Sequence, residues 1–186
     1  MARALGFFLL LFLTGCASYT QAPPVTGVSL PPSNEFTAEG KIGVRSQEVN
    51  ETARFIWIQQ GPDYEIELLD PFGRRVMNLM GETGQVVLRS KSNPKPQVAT
   101  TPEELMQNLL GWQIPVAPAR FWLQGHPAAG VKFNQLEKNR FEQLGWTVDI
   151  LDLQQLDSSG SVPRKVRLTH TDLQLTLIIS KWTFTN

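Results

Sequence analysis

Residues 36–45 read Phe36-Thr37-Ala38-Glu39-Gly40-Lys41-Ile42-Gly43-Val44-Arg45. Phe36, Ala38, Gly40, Ile42 and Val44 fall on one parity, while Thr37, Glu39, Lys41 and Arg45 fall on the other. Alternation with period two is the signature of a strand with one covered and one wet face. The same rhythm continues downstream. Ala53, Phe55 and Trp57 lie opposite Arg54, and Gln60-Gly61-Pro62-Asp63 is a turn. Tyr64, Ile66 and Leu68 alternate with Glu65 and Glu67, and Asp70-Pro71-Phe72-Gly73 is a second turn. Val76 to Met80 and Gln85 to Ser90 follow as strands, divided by Gly81-Glu82-Thr83-Gly84. The sum is an antiparallel meander.

The middle of the chain changes period. Thr101-Pro102-Glu103-Glu104 combines a cap residue, a proline at the first helical position and an acid three residues on, which predicts a helix start. Leu105, Met106, Leu109 and Leu110 form its apolar stripe, and Gly111 ends it. Pro118 to Gln124 predicts a second short helix carrying Phe121, Trp122 and Leu123. Strand patterns then return at Phe133 to Leu136, at a hairpin around Gly145, and at Val166 to Thr169 paired with Leu173 to Ile179. Trp182 and Phe184 fall out of phase with Leu173 to Ile179, so a bulge is expected near Ser180. Gln154 to Pro163 reads as an exposed loop.

Composition narrows the function. The 186 residues carry 17 basic and 17 acidic side chains, so no bulk charge points to nucleic acid. The hydrophobic fraction of 41% suffices for a packed core. A single cysteine excludes an intramolecular disulfide and a multi-thiolate zinc site. The two histidines, His126 and His170, both sit beside turn residues and read as surface groups. There is no phosphate-binding glycine loop, nucleophile elbow or histidine pair at metal spacing. The expectation is therefore a protein that is not an enzyme and needs no cofactor or metal.

The N-terminus carries Arg3 and the apolar run Ala4 to Leu13. Ten residues are too few for a membrane-spanning helix, which needs about 20, but they suit a secretory signal. The run ends in Leu13-Thr14-Gly15-Cys16, which resembles the bacterial lipoprotein signal. Residues 1–15 are then the signal peptide and Cys16 is the lipid attachment site. Residues 16–34, rich in Pro, Ser and Thr, read as a tether, and residues 35–186 as the domain. At ~3.1 Å per residue, nineteen extended residues reach roughly 60 Å. In such lipoproteins Asp after the Cys usually means inner-membrane retention; here Ala17 follows, which implies the outer membrane.

The body resembles the LolB family, outer-membrane lipoprotein receptors of the Lol pathway. The resemblance rests on Phe36-Thr-Ala-Glu-Gly-Lys, Ala53-Arg-Phe-Ile-Trp-Ile-Gln-Gln and Leu69-Asp-Pro-Phe-Gly. It extends through Thr101-Pro-Glu-Glu-Leu-Met-Gln-Asn-Leu-Leu-Gly-Trp, Ile114-Pro-Val, Phe121-Trp-Leu-Gln-Gly, Val162-Pro, Val166-Arg-Leu-Thr and Lys181-Trp, in that order. It implies a mainly β, α+β fold: an incomplete, unclosed antiparallel β-barrel with helices covering its opening. It implies a monomeric acceptor that takes lipoproteins from the periplasmic carrier LolA and releases them into the inner leaflet of the outer membrane. The partners implied are LolA, acylated lipoprotein cargo and outer-membrane phospholipids, with no nucleic acid.

The residues fit that job. A carrier of acyl chains needs an apolar concavity. Phe55, Trp57, Tyr64, Ile66, Leu68, Met77 and Leu79 are candidates for its wall. Leu105, Met106, Leu109, Leu110, Phe121 and Trp122 are candidates for its cover. Methionine adapts to irregular apolar partners. An ordinary filled core is the alternative reading of each. Phe72, flanked by Pro71 and Gly73, sits at a turn centre where apolar residues are uncommon. It either folds back onto the sheet or protrudes; the family carries an exposed apolar residue there, needed for delivery into the membrane. Arg74 and Arg75 read as strand-edge charges, with lipid phosphates as the alternative. A different class of function on the same scaffold is a lipid-sensing regulatory or binding lipoprotein.

Overall fold

The computed structural model describes residues 27–110, 113–156 and 160–185, without the side chains of 108–110. The signal, Cys16 and the side chains of Leu109 and Leu110 lie outside the described residues. Among the described residues, eleven strands form one antiparallel sheet: β1 (Glu35–Arg45), β2 (Asn50–Gln60), β3 (Asp63–Leu69), β4 (Arg75–Glu82), β5 (Gln85–Ser90), β6 (Asn93–Ala99), β7 (Phe133–Glu137), β8 (Arg140–Gln143), β9 (Trp146–Leu156), β10 (Gly160–His170) and β11 (Leu173–Phe184). Two helices, α1 (Pro102–Leu110) and α2 (Val116–Leu123), interrupt it between β6 and β7. The strand order is β6-β5-β4-β3-β2-β1-β11-β10-β9-β8-β7. The two edge strands, β6 and β7, do not pair with each other, so the barrel is unclosed. This is the expected fold.

Alternation holds across the register. Phe36 opposes Gln59, Ala38 opposes Trp57, and Gly40 opposes Phe55. On the other side Ala38 meets Trp182, and the β1–β11 register then shifts between Glu39 and Gly40. That bulge skips Ser180, whose hydroxyl donates to the Glu39 carbonyl at 3.0 Å. It lies at the position expected from the phase change. Gly40 is required there, because a Cβ would stand 2.0 Å from the Ile178 carbonyl oxygen. Phe36 is clamped between Trp57 and Trp182, with ring centroids 6.2 and 5.5 Å away.

Two local expectations are corrected, and one strand appears that the sequence reading did not name. Gln154 to Pro163 is not a loop: β9 runs to Leu156 and β10 starts at Gly160, pairing Gln154 with Val162. Pro163 fits because the register slips right after it, where its missing N–H breaks no ladder bond. Its carbonyl accepts the Trp182 Nε1–H at 2.8 Å. Residues 93–99 form β6 despite Pro94 and Pro96, since an edge strand needs donors on one side only. The second helix begins at Val116, two residues before the predicted start, which places Pro118 in its first turn.

Within the stretch read as a tether, residues 27–34 run along the body. Val28 is buried. Ser29 N–H donates to the Ser161 carbonyl at 3.1 Å, and Ser161 N–H returns a bond to Ser29 Oγ at 2.7 Å. Ser33 is held from both sides by the Gln124 amide, at 2.7 and 3.0 Å. His126 Nε2 lies 2.8 Å from the Leu30 carbonyl oxygen. His126 is thus buried rather than a surface group, and burial lowers its pKa more than the Leu30 bond restores it.

Candidate functional site

The inner face of the sheet is not covered evenly. The turns at 46–49, 70–74, 91–92, 144–145 and 171–172 all lie at one end of the sheet, which follows from the antiparallel register. On β1 to β5, the inner-face side chains far from that end are buried: Phe36, Ala38, Trp57, Leu79 and Val86. Nearer it, Ile42, Val44, Leu68 and Met77 are only half-buried, although Phe55 in the Leu68–Met77 row is buried; Ile66, in the row of Trp57 and Leu79, is half-buried as well. Leu68 pairs with Met77 and with Phe55, so these residues form one contiguous apolar surface. On β8 to β11 the inner face is closed along its length, from Phe141 and Val148 to Leu173 and Ile179.

The two helices account for the closed part. Leu105 and Met106 of α1, and Val116, Ala119, Trp122 and Leu123 of α2, join the buried cluster of the sheet. Thr101 Oγ1 accepts the Glu104 N–H at 3.3 Å, the expected cap. The helices are stitched together by Glu103, whose Oε1 accepts the Val116 N–H at 3.2 Å. Arg120 reaches the Gly61 carbonyl at 2.7 Å and fastens α2 to the β2–β3 turn. At this seam the Tyr64 hydroxyl and Arg120 Nε are buried with no hydrogen-bond partner among the described residues. Burial, and next the charge of Glu103, push the Tyr64 hydroxyl well above its ordinary pKa, so it stays neutral.

The β3–β4 turn presents Phe72 to solvent, with 84% of its surface exposed. The turn is tied by one carboxylate. Asp70 Oδ1 accepts the Phe72 and Arg74 N–H groups at 2.9 and 3.0 Å, and Oδ2 accepts Arg74 Nε at 2.7 Å. The Gly73 N–H donates to the Asp70 carbonyl at 2.9 Å, and Gly73 takes φ +80°, a conformation glycine adopts at little cost. These bonds, the Arg74 backbone N–H first, hold the Asp70 pKa below the usual carboxylate range. Arg74 lies 5.3 Å from the Phe72 ring centroid, and Arg75 pairs with Glu67. Both arginines therefore have carboxylate partners within the β3–β4 hairpin.

Of the residues named from sequence, Phe55, Trp57, Leu79, Leu105, Met106 and Trp122 are buried, while Tyr64, Ile66, Leu68, Met77 and Phe121 are partly covered. Trp122 sits deep, with its Nε1–H on Gln143 Oε1 at 2.7 Å, and Phe121 lies under the Arg120 guanidinium at 4.7 Å. Pro71, Phe72 and Gly73 are exposed together. Sequence reasoning missed Ile42 and Val44 as part of the open surface, although their parity with Phe36 was the available signal.

The model of the family described as "Outer membrane lipoprotein LolB" matches residues 34–182. The chain belongs to the LolB family. An outer-membrane lipoprotein LolB from Pseudomonas syringae pv. syringae is 32% identical over 193 residues, covering 95% of this chain and 93% of that protein. One from Chromohalobacter salexigens is 30% identical over 192 residues, covering 96% and 88%. Among solved structures, a LolA superfamily protein from Nitrosomonas europaea aligns with a TM-score of 0.52 at 11% identity, covering 86% of this chain and 89% of that one. That likeness concerns the fold. LolB proteins are not enzymes.

Proposed function

We propose that this chain is an outer-membrane lipoprotein that receives acylated lipoproteins from the periplasmic carrier LolA and delivers them to the inner leaflet of the outer membrane. Cys16 carries the lipid anchor after removal of residues 1–15, and the body faces the periplasm. With residues 27–34 lying along the body, residues 16–26 form the span between anchor and domain, roughly 34 Å if extended at ~3.1 Å each.

The observation that carries the reading is the one-sided opening of the apolar inner face toward the end that bears Phe72. Each exposed methylene costs ~0.8 kcal/mol, so one acyl chain of about fifteen methylenes costs on the order of 12 kcal/mol to carry through water. Transfer must therefore pass from one apolar surface to the next. Ile42, Val44, Ile66, Leu68 and Met77 offer such a surface, and Phe72 offers an apolar tip that enters the bilayer beside it. The sequence carries no glycine-loop nucleotide motif, and in this reading the transfer runs downhill, with the membrane as the most stable destination.

The test is a two-stage transfer assay with the lipidated full chain. Phe72→Glu is expected to accept lipoprotein from loaded carrier at the normal rate and to deliver it to liposomes at least about tenfold more slowly. Delivery at the normal rate overturns the role of the loop. Failure of the unaltered chain to take cargo overturns the acceptor role itself.

A further inference from the structure

The convex face of the sheet holds a pocket of about 250 Å³ across β2, β1, β11 and β10. Its floor is set by Gly43, Thr52 and Thr176, which stand in register on adjacent strands. Gly43 leaves the space open: a Cβ there would meet nothing nearer than 3.9 Å. Three cations line the pocket, Arg45, Lys165 and Arg167. None of them has an ion-pair partner among the described residues. The neighbouring acids are engaged elsewhere. Asp149, the cross-strand partner of Arg167, pairs with Arg140, and Asp152, beside Lys165, pairs with Arg164. Glu51, the one acid in the lining, alternates to the opposite parity from Thr52 and Asn50. Arg167 Nε is buried with no hydrogen-bond partner among the described residues.

A buried guanidinium donor without an acceptor is costly, and it is relieved by an anion. Threonine hydroxyls and the amides of Asn50 and Gln174 complete a donor set suited to phosphate oxygens. The volume is below the ~300 Å³ of pockets for larger ligands, so it suits a headgroup and not an acyl chain. Its place points to the source. Arg45 and Asn50 flank the β1–β2 turn at the same end of the sheet as Phe72. Two strand spacings, roughly 10 Å, separate β1 from β3, where the Phe72 loop begins. On the far side of the pocket, at that same end, Leu144 in the β8–β9 turn is 53% exposed.

We propose that this pocket binds the phosphate of a membrane phospholipid and seats the convex face on the bilayer while Phe72 enters it. The source of the phosphate rests on the membrane-delivery reading above; the anion site itself rests on the pocket alone. The test follows the ¹⁵N–¹H resonance of Arg167 Nε in the full chain held in dodecyl maltoside micelles. Doping the micelles with phosphatidylglycerol is expected to shift this resonance to saturation, and inorganic phosphate to do so only at about tenfold higher concentration. Two variants are expected to weaken the lipid response about tenfold or more: Arg45→Gln, which removes a charge-assisted bond, and Gly43→Val, which fills the pocket without altering charge.

An unmoved resonance, or variants that respond like the unaltered chain, overturns the site. Inorganic phosphate acting as strongly as the lipid overturns the membrane source. Variants that bind lipid normally but lose cargo uptake from the carrier show an acidic protein partner instead, and also overturn it. Uptake by the unaltered chain is measured on the same sample, so failure of the delivery reading is seen separately from failure of the pocket.

Discussion

The two halves of the sheet share a strand pattern and differ in what covers them. Around β8 to β11 the interior is filled: Trp122, Phe141, Val148 and Val166 are fully inaccessible. The Gln143 amide buried there is fully hydrogen-bonded. Gln143 accepts from Trp122 Nε1 and the Ala128 N–H, and donates to the Ala128 and Val131 carbonyls, all at 2.7–3.0 Å. Around β3 and β4 the inner face is equally apolar but half-covered, and the loop beyond it is exposed. In the proposed function one half supplies a rigid scaffold and the other leaves apolar surface for an acyl chain, so the fold would not fill its whole interior with its own side chains.

Four measurements put this contrast to the test. Phe141→Ala removes a fully buried ring and is expected to cost about 3–5 kcal/mol, read as a drop in the urea midpoint at constant m-value. A cost under about 1 kcal/mol would show that the filled half is not the scaffold. Leu68→Ala, on the half-covered side, is expected to cost only about 1–2 kcal/mol in the same titration. Acyl-chain uptake should fall more than stability does, and a loss as large as that of Phe141→Ala would place Leu68 in the packed interior.

The third concerns pH. The folded pKa of His126 lies below its ordinary value of 6.5, so the unfolded chain binds more protons between the two. Its contribution to stability is complete above about pH 6.5 and is lost as pH falls toward the folded value. The melting temperature should drop across that window, and His126→Gln should flatten the part due to this residue. An unchanged slope in the variant would assign the pH dependence to other groups. The smallest effect belongs to the exposed loop: Phe72→Ser should leave stability within about 0.5 kcal/mol by thermal melting. A larger loss would mean that the ring packs on the body.

Much of this was legible in the chain. The alternation from Phe36 to Val44, the cap at Thr101 and the phase change before Trp182 determine strand faces, a helix start and a bulge, because each depends on neighbouring residues alone. Three features escaped local reading. The prolines of β6 hid a strand whose legitimacy comes from lying at a sheet edge. His126 looks like a turn residue until the chain at Leu30, 96 positions away, lies across it. Phe72 was undecided between two states until the Asp70 bonds set its turn.

Leu68 and Leu79 mark the boundary between the two kinds of information. Leu68 shares its parity with Tyr64 and Ile66 and Leu79 shares its parity with Met77, and both face inward on adjacent strands. That much follows from residue order, since parity along a strand is a local property. That Leu79 is buried while Leu68 stays half-open is a matter of long-range packing. Burial depends on which distant elements arrive to cover a face, and α1 and α2 close one end of this sheet but not the other.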